Sequence, residues 1–428
     1  MPRDRPAWRP TGVHEAVVAG IALLVVGLAA GRPDVALIGV PTLLVAVFSL
    51  TRPPSARQAI GEGVVEGEST GGVESAVLIA GGGVAHLRAS APGHRLTEFV
   101  VAVPRGRERE LRLTLASVRT GPQETARVDV RGYDGVWESE PQSAGGAGRL
   151  VLPSSMRLGS VPVPRNLRGL TGPRVSRRFG EGSELRDIHP FVPGDRLKRI
   201  DWRTTARRSP NLETLYVRRT FADAEAAVML VVDSRDDVGP DVRTWRGFSE
   251  LRVDEATSLD LARHAAASVA RALVDKGDRV GLVDLALAAR PLPPASGRRH
   301  LRRVLHGLAL VHPVGDPSAR VRPPQIPADA LVYLFSTVLD EAAAQLVRTW
   351  RSLGHPVVLV DTLPDVRPVR EPYLAIAWRI VRMERQVRLD GLAREGVPIV
   401  RWSGSARSSA AATLDALARL AARKRDWR

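Results

Sequence analysis

The 428-residue sequence contains no cysteine, which excludes disulfides, thiolate metal sites and cysteine nucleophiles while leaving the compartment open. Aromatic residues make up 4% of it, so a core has to be assembled from Val, Leu, Ile and Ala. Lysine is nearly missing: Lys198, Lys276 and Lys424 are the only ones among 62 basic residues, and the rest are Arg. Against 46 acidic residues this leaves a net charge of +16. Such a balance suits nucleic acid or anionic lipid, but a coding bias toward Arg and Ala explains it equally well. No RNP, zinc-finger or helix-turn-helix pattern accompanies the charge, so a dedicated nucleic-acid partner is not expected. The G-x-S-x-G elbow, the P-loop lysine motif and the H-E-x-x-H helix are also missing. Gly81-Gly82-Gly83 lacks the following helix and Lys of a phosphate cradle. No catalytic residue is assigned, and the chain is not expected to be an enzyme.

The length allows two or three domains. Residues 16–31 and 35–50 are apolar runs separated by Arg32-Pro33-Asp34, each a little under the roughly 20 residues wanted for a spanning helix. A second apolar run follows the first at once, which argues against a cleaved signal peptide. The expectation is a transmembrane helical hairpin over residues 1–57, in contact with membrane lipid. Arg3, Arg5 and Arg9 precede it and Arg52 and Arg57 follow, so both ends and the soluble domains should face the cytoplasm from the cell membrane.

Residues 58–154 switch to short alternating runs punctuated by Gly, Pro and Asp, as in a small β-sandwich. His86, His94 and Tyr133 show no ligand spacing there, and residues 142–148 read as a loop. Residues 155–220 hold an extended basic connector, with Pro162, Pro164 and Pro173 among Arg165, Arg168, Arg174, Arg177 and Arg178, and then the most particular stretch of the chain.

Residues 221–428 alternate strands and helices. Continuous apolar runs at 226–232, 330–335 and 356–361 suit strands buried on both faces; 278–286 and 397–402 add two more. Helices are expected at 258–276, 298–309, 341–353, 371–395 and 405–424. This is the pattern of a doubly wound, mostly parallel sheet, whose ligands sit at the carboxyl ends of the strands. That rule points at Asp233 and, on the later strand, at Ser336, Thr337 and Asp340.

The particular stretch is residues 185–219, LRDIHPFVPGDRLKRIDWRTTARRSPNLETLYVRR. Pro193-Gly194-Asp195 is a turn signal, and Asp195 is expected to cap a short helical turn through Leu197 and Ile200. Asp187, Asp195 and Asp201 sit among many Arg residues, so Arg–carboxylate forks are expected. Arg186, Gly194, Asp195, Arg199, Asp201, Trp202 and Arg207 therefore form either a structural clasp or a docking surface for an acidic partner with Trp202 as anchor. His189 beside Asp187 leaves hydrolysis as a weaker alternative.

The order Leu185-Arg186, Pro193-Gly194-Asp195, Arg199-Ile200-Asp201-Trp202, Ala206-Arg207 and then Leu215, Val217 and Arg218 resembles the signature of the bacterial domain-of-unknown-function 58 family. The resemblance implies a membrane-anchored protein with a von Willebrand factor A-like α/β domain, working as an adaptor or chaperone-like scaffold beside a MoxR-type AAA+ ATPase on an unspecified client. It also implies a metal site of the form Asp-x-Ser-x-Ser. Here those positions read Asp233, Arg235 and Asp237. A hard cation such as Mg²⁺ wants oxygen ligands, whereas Arg cannot ligate one and could instead bridge the carboxylates. Both readings stand at this point, and either leaves the rim able to meet a partner. Electrostatic binding of anionic lipid or nucleic acid through the Arg-rich segment is the alternative function.

Overall fold

The first apolar run folds as α1 (Val13–Ala29) and the second as α2 (Pro33–Thr51), packed against each other through a tight turn. The transmembrane reading of this hairpin is not supported. With 17 residues, α1 reaches only about 26 Å at 1.5 Å per residue, short of the ~30 Å hydrocarbon core. α2 has Asp34 in its first turn and carries Pro41 inside. Among the described residues no helix is long and apolar enough to cross a membrane. Those described residues are 8–10, 12–51, 59–63, 69–91, 96–124, 126–134, 137–145, 148–164, 167, 174–246, 251–252, 254–287, 291–313, 323–404 and 406–426 of a computed structural model. The expected flanking charges Arg3, Arg5, Arg52 and Arg57, together with His94, Arg165, Arg168 and Pro173, lie outside them.

The chain divides into two units, Met1–Val118 with Pro122–Val151, and Arg119–Gly121 with Leu152–Arg428. The first holds the hairpin and the strands β1 (Trp8–Pro10), β2 (Ala59–Gly63), β3 (Ser69–Thr70), β4 (Gly72–Ser90), β5 (Thr97–Ala116), β6 (Gly121–Glu124), β7 (Arg127–Asp134), β8 (Trp137–Ser139), β9 (Gln142–Gly145) and β10 (Gly148–Leu152). A seven-stranded sheet runs β1-β8-β7-β4-β2, with β5 on β4 and β9 on β7, and β3-β10-β6 form a second sheet. Alternate residues of β4, β5 and β7 (Val77, Ile79, Ala85, Leu87, Val101, Val103, Val128, Val130) build its core, as period-two alternation requires. The glycine triplet is a β-bulge: the β4–β5 register slips between Gly81 and Gly83, and Gly83 adopts φ 91° with no room for a Cβ against the Tyr133 carbonyl. Residues 142–145, expected in a loop, form β9 because β7 offers them an edge to pair with.

In the second unit β11 (Arg174–Pro190) pairs antiparallel with β12 (Tyr216–Ala224), and α3 (Trp202–Arg208) lies in the excursion between them. The supposed extended connector thus ends in a long strand. Arg174 ties that strand down by donating two hydrogen bonds of 2.6 Å to the fully buried Asp278. Then follow β13 (Ala227–Val232), α4 (Ser258–Val274), β14 (Arg279–Asp284), β15 (Leu292–Ala295), α5 (Arg298–Leu310), β16 (Leu331–Ser336), α6 (Glu341–Ser352), β17 (Val357–Asp361), α7 (Pro372–Arg394), β18 (Ile399–Arg401) and α8 (Arg407–Asp426). The sheet order is β15-β14-β13-β16-β17-β18, parallel except for the edge strand β15.

Both faces of this sheet are covered. Val228, Leu230 and Val232 of β13 pack with α4, α5 and α8, while Met229 and Val231 pack with α6 and α7. A strand buried on both sides needs this unbroken apolar run, since consecutive side chains point to opposite cores. The parallel strands end together, so Asp233, Asp284, Ser336 and Asp361 are brought to one edge.

Candidate functional site

At that edge β13 runs out into Asp233-Ser234-Arg235-Asp236-Asp237. Arg235 turns back onto its own strand end. Its Nε and Nη2 donate to the two Asp233 carboxylate oxygens at 2.7 and 2.8 Å, and Nη1 donates to Asp340 at 2.6 Å. Ser336 at the end of β16 donates its hydroxyl to Asp233 at 2.7 Å, and Asp340 also caps α6 by accepting from the Ala343 amide. The guanidinium is 7% exposed. Burial works against its charge, but the hydrogen bonds and the attraction of Asp233 and Asp340 outweigh this and raise its pKa above the ordinary Arg value.

These residues do not fit a divalent cation. Both oxygens of Asp233 are committed to Arg235, the Ser336 hydroxyl to Asp233, and a fixed positive charge stands at the centre. Among the described residues no group of three or more His, Asp or Glu side chains is placed to hold a metal ion. Of the expected rim residues, Asp233, Ser336 and Asp340 converge on Arg235. Asp237 does not. Its carboxylate accepts from the Leu259 amide at the start of α4 at 3.2 Å, and burial raises its pKa. Thr337 is buried and offers its carbonyl to Arg385 Nε at 2.7 Å.

Arg385 exposes a second instance of the same device, not foreseen from the sequence: it reaches from α7 to form an ion pair with Asp361 at the end of β17. Ser234, the neighbour of Arg235, donates to Asp284 at the end of β14. Asp236, like Asp237 and Asp284, is held by burial in an environment that disfavours its charge. Burial first, and the nearby negative charge of Asp233 second, push its pKa up to about 7. No sequence signal singles it out among three neighbouring aspartates.

The clasp is arranged otherwise. Gly194 has φ 103°, and the Asp195 amide donates to the Val192 carbonyl at 3.0 Å, closing a turn in which only the third position needs positive φ. Asp195 does not cap the next helical turn, whose N-cap is Arg196. Its carboxylate instead accepts from the Val192 amide at 3.0 Å and lies 3.5 Å from His189 and 3.7 Å from Arg219. The carboxylate near His189 is therefore Asp195, not Asp187. Asp201 is the true cap, accepting from the Thr204 amide at 2.9 Å at the start of α3; that bond, despite an opposing desolvation cost, lowers its pKa. Arg199 donates to the Gly180 carbonyl at 3.1 Å, and Arg186 lies over the Phe221 ring at 6.0 Å.

The contacts Arg218–Asp201 and Arg219–Asp195 lie at 3.8 and 3.7 Å, longer than the expected bidentate Arg–carboxylate fork. What the excursion presents outward is apolar and basic. Trp202, Leu197 and Leu212 are 61, 68 and 56% exposed, and Lys198, Arg203, Arg207 and Arg208 are exposed too. Leu212 is held at φ 58°, a conformation rare for a branched side chain.

The second unit is thus an α/β domain with a closed, guanidinium-bridged rim and a β-ribbon that carries an exposed helical excursion. Residues 187–369 match the family described as "Protein of unknown function DUF58", and the chain carries a domain of that family. The uncharacterized protein Rv1480 of Mycobacterium tuberculosis and the uncharacterized protein Mb1516 of Mycobacterium bovis are each 30% identical to it over 230 residues. The matched stretch covers 53% of this chain and 62% of each relative, so the chain spans about three fifths of the length of the curated relatives it matches.

Proposed function

We propose that this chain is a non-catalytic scaffold that docks an acidic protein partner through the excursion between β11 and β12. The observation that carries this reading is the exposure of Trp202, at 61%, on a segment whose backbone is tied to the start of β12 and to α3. The Asp201 amide donates to the Tyr216 carbonyl, the Phe191 amide to the Leu215 carbonyl, and the Tyr216 amide to the Thr205 hydroxyl. A large aromatic on a rigid platform among Arg residues is the usual composition of an interface anchor. The resemblance of the signature to the domain-of-unknown-function 58 family implies a MoxR-type AAA+ ATPase as that partner. The closed rim supports a role that runs without a bound cation.

The test is direct binding between the purified full chain and the MoxR-type ATPase of the same organism. Trp202→Ala and Arg207→Glu should each weaken binding at least about tenfold, with the thermal midpoint unchanged. Binding that survives both substitutions would overturn the reading. Capture of anionic lipid or nucleic acid, equally by wild type and Trp202→Ala and lost in salt, would establish the electrostatic alternative instead.

A further inference from the structure

Helix α7 carries two apolar stripes. The inward one uses Leu374, Trp378, Val381, Leu389 and Leu392: Leu389 and Leu392 enter the core beneath the sheet, and Trp378 meets Trp245 edge to face at 5.1 Å. The outward one is Tyr373, Ile376, Ile380, Met383 and Val387, each between 52 and 68% exposed. Their spacing is three, four, three, four, the alternation of a two-heptad seam with Tyr373, Ile380 and Val387 at one core position and Ile376 and Met383 at the other. Single exposed apolar residues need no explanation, but five in heptad register on one helix do. The seam ends at Asp390, where the next core position is charged, and it lies outside the residues matched by the family.

We infer that this face pairs with α7 of a second copy of the chain, parallel and in register. Two observations favour that occupant and orientation. β-branched Ile380 and Val387 recur at the first core position, as in two-stranded parallel seams, while the second position holds Ile376 and Met383. The flanking charges also match. In a parallel pair the residue before one core position faces the residue five further along the other helix, which sets Arg379 of each copy against Glu384 of the second. Among the described residues Arg379 has no carboxylate partner, and Glu384 is 60% exposed and holds only Arg388, at 3.3 Å. An antiparallel pair would instead bring the flank bearing Arg379 and Arg382 against itself, placing like charges together. Because α7 is already folded on its domain, pairing does not have to meet the cost of helix formation. Two heptads remain a short seam, and the dimer should be concentration-dependent.

The absence of cysteine makes a clean test possible. In the full chain, kept in mild detergent to mask the apolar α1–α2 hairpin, Met383→Cys should form a disulfide-linked dimer under mild oxidation. Leu353→Cys, equally exposed at the end of α6, should not. Arg379→Glu or Glu384→Arg introduced singly should lower the cross-linked yield of Met383→Cys by about tenfold, and the double reversal should restore it. No yield above the Leu353→Cys control would overturn the inference, as would failure of the double reversal to rescue. Linking of Met383→Cys only to Ile380→Cys would establish an antiparallel seam and overturn the parallel one.

Discussion

The rim and the clasp belong to the same unit and are made of the same two residue types, Arg and Asp, yet they dispose of charge in opposite ways. At the rim, Arg235 is swallowed: its guanidinium satisfies two carboxylates and is itself satisfied by them. In the clasp the carboxylates of Asp195 and Asp201 spend themselves on backbone amides. Around them Arg203, Arg207 and Arg208 are exposed, while Arg199 is held by the Gly180 carbonyl. The first arrangement stabilises a strand end, and the second leaves cationic surface beside an exposed Trp. The difference is whether the carboxylates face guanidinium groups or the chain's own N–H groups.

Breaking the rim should have the larger consequence. Arg235→Ala leaves Asp233 buried without its counter-charge, and removing one partner of a buried pair costs about 3–5 kcal/mol. The urea midpoint should fall accordingly; a loss below about 1 kcal/mol would mean that the pair behaves as a surface contact and the comparison fails.

Asp236 sharpens the same point through pH. Its folded pKa of about 7 lies above the ordinary 3.8, so between those values the native state holds a proton that the unfolded chain has released. Stability from this group is therefore greatest at low pH, declines as pH rises through that window, and is fully lost above about 7. Asp236→Asn should leave stability unchanged near pH 4 and raise it by on the order of 1–3 kcal/mol at pH 8, read from urea midpoints at both values. An equal effect at both would show that burial of the carboxyl is not the cause.

Asp201→Ala should lower α3 helicity through loss of its cap, while Asp195→Ala should leave α3 helicity intact because Asp195 does not cap it. Circular dichroism with urea titration distinguishes them.

How much of this could be read beforehand follows from how local each cause is. The central strands were legible because double burial writes an unbroken apolar run, and Asp233 followed from where such a strand ends. The Arg235–Asp233 contact was foreseeable at two residues' separation. Arg385–Asp361 was not, because one residue sits mid-helix and the other ends a different strand, and only the winding of the chain brings them together. The cap is hard to read from sequence because Asp195 and Asp201 precede helical turns by two and one residues, and turn chemistry at Asp195 competes with capping. The amino-terminal hairpin formed helices where the apolar runs lie, yet apolar character alone did not secure the length and continuity that crossing requires. α7 is apolar on two sides, so no periodicity says which side the sheet takes.

The smallest stability effect is the most discriminating. Trp202 is 61% exposed and at the first position of α3, where its side chain supports neither the Asp201 cap nor the Tyr216–Thr205 bond. Trp202→Ala should therefore change unfolding free energy by no more than about 0.5 kcal/mol, while Thr205→Ala, in which a fully buried hydroxyl is lost, should cost more, about 1–3 kcal/mol. If Trp202→Ala proves as costly as Thr205→Ala, the Trp is packed in solution, the clasp is structural throughout, and its exposed face no longer contrasts with the closed rim.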